Sequence, residues 1–255
     1  DDSVAIQKAI DAEEIVYLPM GTYRLENTLV LKPNTKLIGA HRSETKLLGP
    51  DGKTAIETPD VADAEVLIKE LQVHSGAADA VGIDWRCGGR SVLFMVNTWT
   101  EPGGYTAFLA RGNAGGSHLF GWGGGFQGKN NHGKVFVDMK GPMHLYGVDS
   151  EHSEAAPYRI KDVENLLMVN WQTEHLTDPE IASVHIEDSK NIMLLGGIAG
   201  VRTGPLAVRL VNSEDVSLFN TVGCGGEEVI HETTSDGEEI HVMAYQENLN
   251  VAGCY

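Results

Sequence analysis

Apolar residues in the second half of the chain recur at a spacing that only a few architectures can use. The stretch 160–169 lines up with 186–195 and with 210–219, and 137–146 fits the same frame one unit earlier, giving intervals of 23, 26 and 24 residues. Each unit reads as a strand, a polar turn and a second strand. One such unit alone cannot bury its apolar side, whereas stacked units bury a continuous column of Ile, Leu, Val and Met. Leucine-rich repeats share this length, but their leucine signature and the helix-period segments between strands are missing. The chain is therefore expected to be all-β, a single-stranded right-handed parallel β-helix with rungs about 4.8 Å apart.

The first half agrees. Asp1, Asp2 and Ser3 form a capping cluster ahead of Ile6, Ala9 and Ile10 at helical spacing. Short apolar runs then follow at 15–18, 22–25, 28–31 and 36–39, separated by turns at Pro19–Gly21 and Pro33–Asn34. The helix would cap an open solenoid end, whose unpaired strand edge otherwise invites association. One domain over 1–255 is expected, with a Gly-rich loop inserted around 101–133, where the repeat breaks. Trp122 in that loop is a candidate sugar-stacking wall.

Charge narrows the partners. Nineteen basic against 36 acidic side chains give a net charge of −17, which repels nucleic acid, anionic lipid and acidic polysaccharides. No Lys/Arg cluster is evident in the sequence to offset this, so a neutral polysaccharide or oligosaccharide is the expected partner. No apolar run approaches the roughly 18–20 residues of a membrane span, and a secreted, extracellular or periplasmic protein is expected. Cys87, Cys224 and Cys254 are too few for a disulfide framework. No metal-ligand spacing appears, and neither a metal nor a cofactor is expected.

The repeat frame brings acidic residues together. Twelve residues into successive units stand Asp149, Gln172, Ile198 and Val222; fourteen in stand Glu151, Glu174, Gly200 and Cys224. Polar groups thus concentrate on two adjacent turns and vanish on the next two. Like charges stacked in register cost stability, so a ladder this local points to a purpose. Close carboxylates push their pKa values apart, leaving one protonated near neutral pH. That is the equipment of glycosidic bond cleavage. His152, His175, Gln172, Tyr158 and Trp171 flank the pair and are the candidate substrate contacts.

The residues from Leu145 to His152, then Tyr158, Glu164–Leu166 and Gln172–Glu174, resemble the second β-helix module of glycoside hydrolase family 55. Asp1–Ile10 and Val16–Tyr23 are similar to the start of many pectate-lyase-like modules. The first resemblance implies an inverting β-1,3-glucanase, with Glu174 as general acid and Glu151 as its close partner. That family has two tandem β-helices with the cleft between them, and this chain has room for one. Contacts of the missing module would come from the Gly-rich loop or from another subunit in a homo-oligomer. Two other readings fit the same fold: a polysaccharide lyase using His152, His175 or Tyr158 as base, and a non-catalytic glycan-binding, tailspike-like module.

Overall fold

The computed structural model describes residues 1–123, 132–151, 156–174, 181–200, 206–220, 222–224 and 228–243. The chain winds as a right-handed parallel β-helix with three faces. On the first face Ile15–Leu18, Lys36–Gly39, Leu67–Lys69, Val92–Phe94, His118–Trp122, Met143–Glu151, Tyr158–Val169, Lys190–Leu195 and Glu214–Phe219 pair in parallel, each with the next. The second face runs from Leu29–Val30 through Thr54–Glu57, Val81–Trp85, Thr106–Gly112, His132–Met139, Tyr158–Val169, Val184–Glu187 and Leu206–Val211 to Glu228–Thr233. The third stacks Gly21–Arg24, Thr45–Leu48, Gln72–Ser75 and Asn97–Thr100 below, and the end of Met143–Glu151, Gln172–Glu174, Ile198–Gly200 and Val222–Cys224 above. A bridge from Asn97 to Gly123 joins the two halves. Glu239–Met243 closes the described chain as an antiparallel partner of Glu228–Thr233.

Alternation within each strand decides what faces inward. On the first face Leu37, Ile68, Leu93, Leu119, Leu145, Met168 and Leu194 form one buried column. On the second, Leu29, Ile56, Ile83 and Phe108 run up to Lys134, Tyr158, Val184 and Val208, all buried. Corners are made by residues of positive φ. Glu70, Met95, Asn170, Gly196 and Asn220 each follow a first-face strand, and Gly121 and Gly147 lie within theirs; all seven turn the chain onto the third. Asn and Gly suit this left-handed conformation best. At the opposite corner Asn191 Nδ2 donates to Asn165 Oδ1 at 2.6 Å, and Asn212 Nδ2 to Asp188 Oδ1 at 2.6 Å.

The helix Ser3–Ala12 buries Ile6 and Ile10 against the first coils. Its capping differs in detail from the simple cluster expected. Asp1 Oδ1 accepts from the Ser3 amide at 2.9 Å, while Asp2 Oδ2 accepts from the Arg24 amide at 2.7 Å, tying the helix to the neighbouring strand. Among the described residues no helix is long and apolar enough to cross a membrane.

Two sequence expectations need correction. Within 101–133 the repeat continues through Thr106–Gly112 and His118–Trp122, which are ordinary rungs paired above and below. Among the described residues Gly112, Gly116 and Gly121 sit at positive φ, at corners of the coil rather than in an inserted loop; residues 124–131, within the expected loop, lie outside the described residues. The earliest unit is also shifted by one at its start, since Phe136, not Val137, lies over Ile160. The turn 140–142 carries one extra residue, which restores the register at Met143 over Leu166.

Candidate functional site

The third face holds the predicted acidic pair. Its parallel register sets Asp149 on Gln172, Ser150 on Thr173 and Glu151 on Glu174, and Gln172 in turn on Ile198. Ser150 and Thr173 are buried, and Asp149 and Gln172 are half-exposed on the other side of the strand. Glu151 and Glu174 are thus adjacent rungs at one level of the ladder; their side chains fall outside the described set, as do His152 and His175 entirely. Trp122 pairs through its backbone with Val148, and its side chain is likewise outside that set.

Tyr158 and Trp171 are corrected from substrate contacts to core. Both are essentially inaccessible, at 0% and 1% exposure, so neither ring offers a face to a ligand. Tyr158 Oη donates to the Gln172 carbonyl at 3.1 Å, and its ring meets Trp171 edge-on at 6.3 Å. Burial, reinforced by the charge of Asp149, pushes the Tyr158 phenol well above its ordinary pKa. The two rings form the floor behind the carboxylate rungs.

Lys134 was not anticipated. It is fully buried inside the coil, where its column otherwise holds Phe108, Tyr158 and Val184. Its ammonium donates to the Asp149 carbonyl and sits 5.8 Å from the centre of the Tyr158 ring. The interior behind these rungs is polar elsewhere too. Thr173 Oγ1 donates to Ser183 Oγ at 3.1 Å, and Ser150 Oγ to the Pro157 carbonyl at 3.3 Å. The one-residue shift in the first unit hid Lys134, because that frame turns it outward.

The third face carries another pair of side chains lower down. Gly123 bridges Asn97, and the register below places Trp99 on His74 and His74 on Leu48. The Trp99 and His74 rings stack at 6.3 Å and 22°. His74 Nδ1 lies 3.5 Å from Glu101 Oε1. Burial lowers the His74 pKa more than Glu101 raises it. The indole N–H of Trp99 is buried without an acceptor among the described residues. Aligning the first-half strands as a continuation of the repeat would have found this pair.

The expectation of no Lys/Arg cluster is qualified by one file of alternating arginine and histidine. On the second face Arg159, His185, Arg209 and His231 occupy successive rungs in one file. They are 26, 24 and 22 residues apart in sequence, so no local run of basic residues announces them.

Comparisons with known proteins follow this geometry. Residues 1–78 match a family described as rhamnogalacturonase A/epimerase, pectate lyase-like. No curated protein matches the chain. Among solved structures, ORF18 of Geobacillus virus E2 is 14% identical with a TM-score of 0.51, over 92% of this chain and 58% of that one. The N-terminal fragment of gene product 12 of bacteriophage phi29 is 12% identical with a TM-score of 0.52, over 92% of this chain and 57% of that one. This chain therefore spans less than two thirds of either structure. The fold is a right-handed parallel β-helix, whose first 78 residues are similar to a pectate-lyase-like family.

Proposed function

We propose that this β-helix acts on glycans and hydrolyses a glycosidic bond, with Glu174 as general acid and Glu151 as its stacked partner. The observation that carries the reading is the parallel register of Glu151 on Glu174. Two carboxylates on neighbouring rungs, about 4.8 Å apart along the stack, disfavour double ionisation. Lys134 donates to the carbonyl of Asp149, on the rung of Glu151, and a positive charge there would favour the ionised form of Glu151. The shared proton then resides on Glu174, which delivers it to the leaving oxygen while water attacks the opposite side of the sugar. The rung spacing is shorter than the separation of an inverting acid and base, so Glu151 tunes its neighbour rather than activating the water. Gln172, His152 and His175 belong to the substrate side of this reading, and Trp99 extends it downward. The similarity to family 55 favours a β-1,3-glucan as substrate, with a second copy or a second module supplying the facing wall. The family matched by residues 1–78 is described as a rhamnogalacturonase or epimerase, which supports polysaccharide chemistry more broadly.

The test is release of reducing sugar from a β-1,3-glucan by the wild type and by Glu174→Gln. The variant is expected to lose roughly 10²–10⁴-fold in turnover, the usual contribution of a general acid, while its thermal transition is unchanged. Wild-type turnover in the variant removes Glu174 from the mechanism. An unsaturated, ultraviolet-absorbing product would mean elimination, and binding without any product a glycan-binding module.

A further inference from the structure

The basic file on the second face has the features of a binding site rather than of a solvated surface. Arg159, His185, Arg209 and His231 alternate along the axis. Ile160, Ile186 and Leu210, next along their strands, are buried, so alternation turns Arg159, His185 and Arg209 outward, and His231 follows through its register with Arg209. All four are nevertheless half-buried. His185 Nε2 and Arg209 Nε are shut off from solvent with no hydrogen-bond partner among the described residues.

Charge pairing sets this file apart from its surroundings. On the same coils Lys140 pairs with Glu164 at 2.9 Å, Lys161 with Glu187 at 2.6 Å and Lys190 with Glu214 at 3.0 Å. Arg159 and Arg209 make no ion pair among the described residues, in a chain with 36 carboxylates. His231 Nε2 lies 4.0 Å from Glu239 at the upper end. Burial, then the charges of Arg209, Arg159 and Lys161, lower the His185 pKa against the opposing pull of Glu187. A neutral imidazole therefore separates two fixed guanidiniums that stand two rungs, roughly 10 Å, apart. Unpaired like charges so close cost stability, and a bound anion would offset that cost.

We propose that Arg159, His185 and Arg209 form a binding site for an anionic glycan, with carboxylates on the two guanidiniums and His185 donating a hydrogen bond between them. Guanidinium forks match carboxylates in two parallel hydrogen bonds. Nucleic acid, with a charge every ~1.7 Å of duplex, would meet the repulsion of the −17 chain along its whole length. A uronate chain carries its charges more sparsely and fits two separated cations better. The site lies on a different face from Glu151 and Glu174 and stands whether or not those residues hydrolyse anything.

Calorimetric titration with a galacturonate hexamer tests this, comparing the wild type with Arg159→Gln/Arg209→Gln. The double variant is expected to bind at least about tenfold more weakly, the least that losing charge-assisted hydrogen bonds would give. A neutral β-1,3-glucose hexamer should show no such difference. Absent wild-type binding, or equal binding by the double variant, overturns the proposal. Equally tight, arginine-dependent binding of a single-stranded oligonucleotide overturns the glycan assignment in favour of general polyanion contact. Should the double variant not fold, NMR titration of the His185 imidazole in the wild type decides instead. Galacturonate should raise the His185 pKa, and an unmoved pKa sinks the idea.

Discussion

Tyr158 shows how one buried hydroxyl couples the core to the candidate site. Its phenol donates to the Gln172 carbonyl on the rung that carries Glu174. Alternation alone would have turned it inward, because Ile160 two residues on belongs to the core column; weighing its sequence neighbours as site residues obscured that. Burial raises its pKa well above the ordinary value. A raised pKa in the folded state means that the associated stability is complete below the unfolded value, about 10, and is lost as pH climbs beyond it. Tyr158→Phe is accordingly expected to cost about 1 kcal/mol near pH 8, the worth of one hydrogen bond. The deficit should shrink or reverse near pH 11, where the wild type must keep a proton that its unfolded chain releases. Urea midpoints at the two pH values check this, and a constant deficit would contradict it.

Elements here are held by what stacks on what, and Trp171 depends on the rung above it. A Cβ added at Gly197 would fall inside the Trp171 indole. The indole thus occupies space that any larger residue at 197 needs. Gly197→Ala is expected to destabilise by roughly 1–3 kcal/mol, typical of overpacking. It should also shift the indole fluorescence and lower the proposed glycan-hydrolysing activity by displacing the floor beneath Gln172. An unchanged emission spectrum with an unchanged urea midpoint would show that Trp171 has another place to go. This pairing was legible once the repeat was in frame, since Gly197 stands 26 residues after Trp171, the interval that joins Gln172 to Ile198. The stacking of Glu151 on Glu174 was legible for the same reason. Lys134 was not, because one extra residue in the turn 140–142 breaks the alignment locally. The Arg–His file was hidden differently: its members are adjacent only through the coil, and a search for local clusters of basic residues passes over them.

At the scale of the whole molecule, histidines on three different faces share one property. His118 on the first face, His185 on the second and His74 on the third all have lowered pKa values, with burial the leading cause in each. His118 is further opposed by His144, whose Nδ1 lies 3.3 Å from its own. A lowered folded-state pKa means that each contributes stability above the unfolded value, about 6.5, and loses it as pH falls through the folded value. A second effect runs the other way. Acidification toward the sequence pI near 4.9 reduces the net charge of −17 and with it the self-repulsion of the folded chain. Titrating the wild type alone would mix the two. His74→Gln/His118→Gln/His185→Gln keeps the relief of repulsion and removes the histidine penalty. Between about pH 7 and pH 5 its thermal midpoint should therefore rise relative to that of the wild type. Asp60, held low chiefly by the Asn113 amide, responds only below the ordinary carboxylate range and leaves this window clear. Parallel pH curves for the two proteins would mean that the buried imidazoles find compensating partners when protonated, and that the coils tolerate charge at these positions.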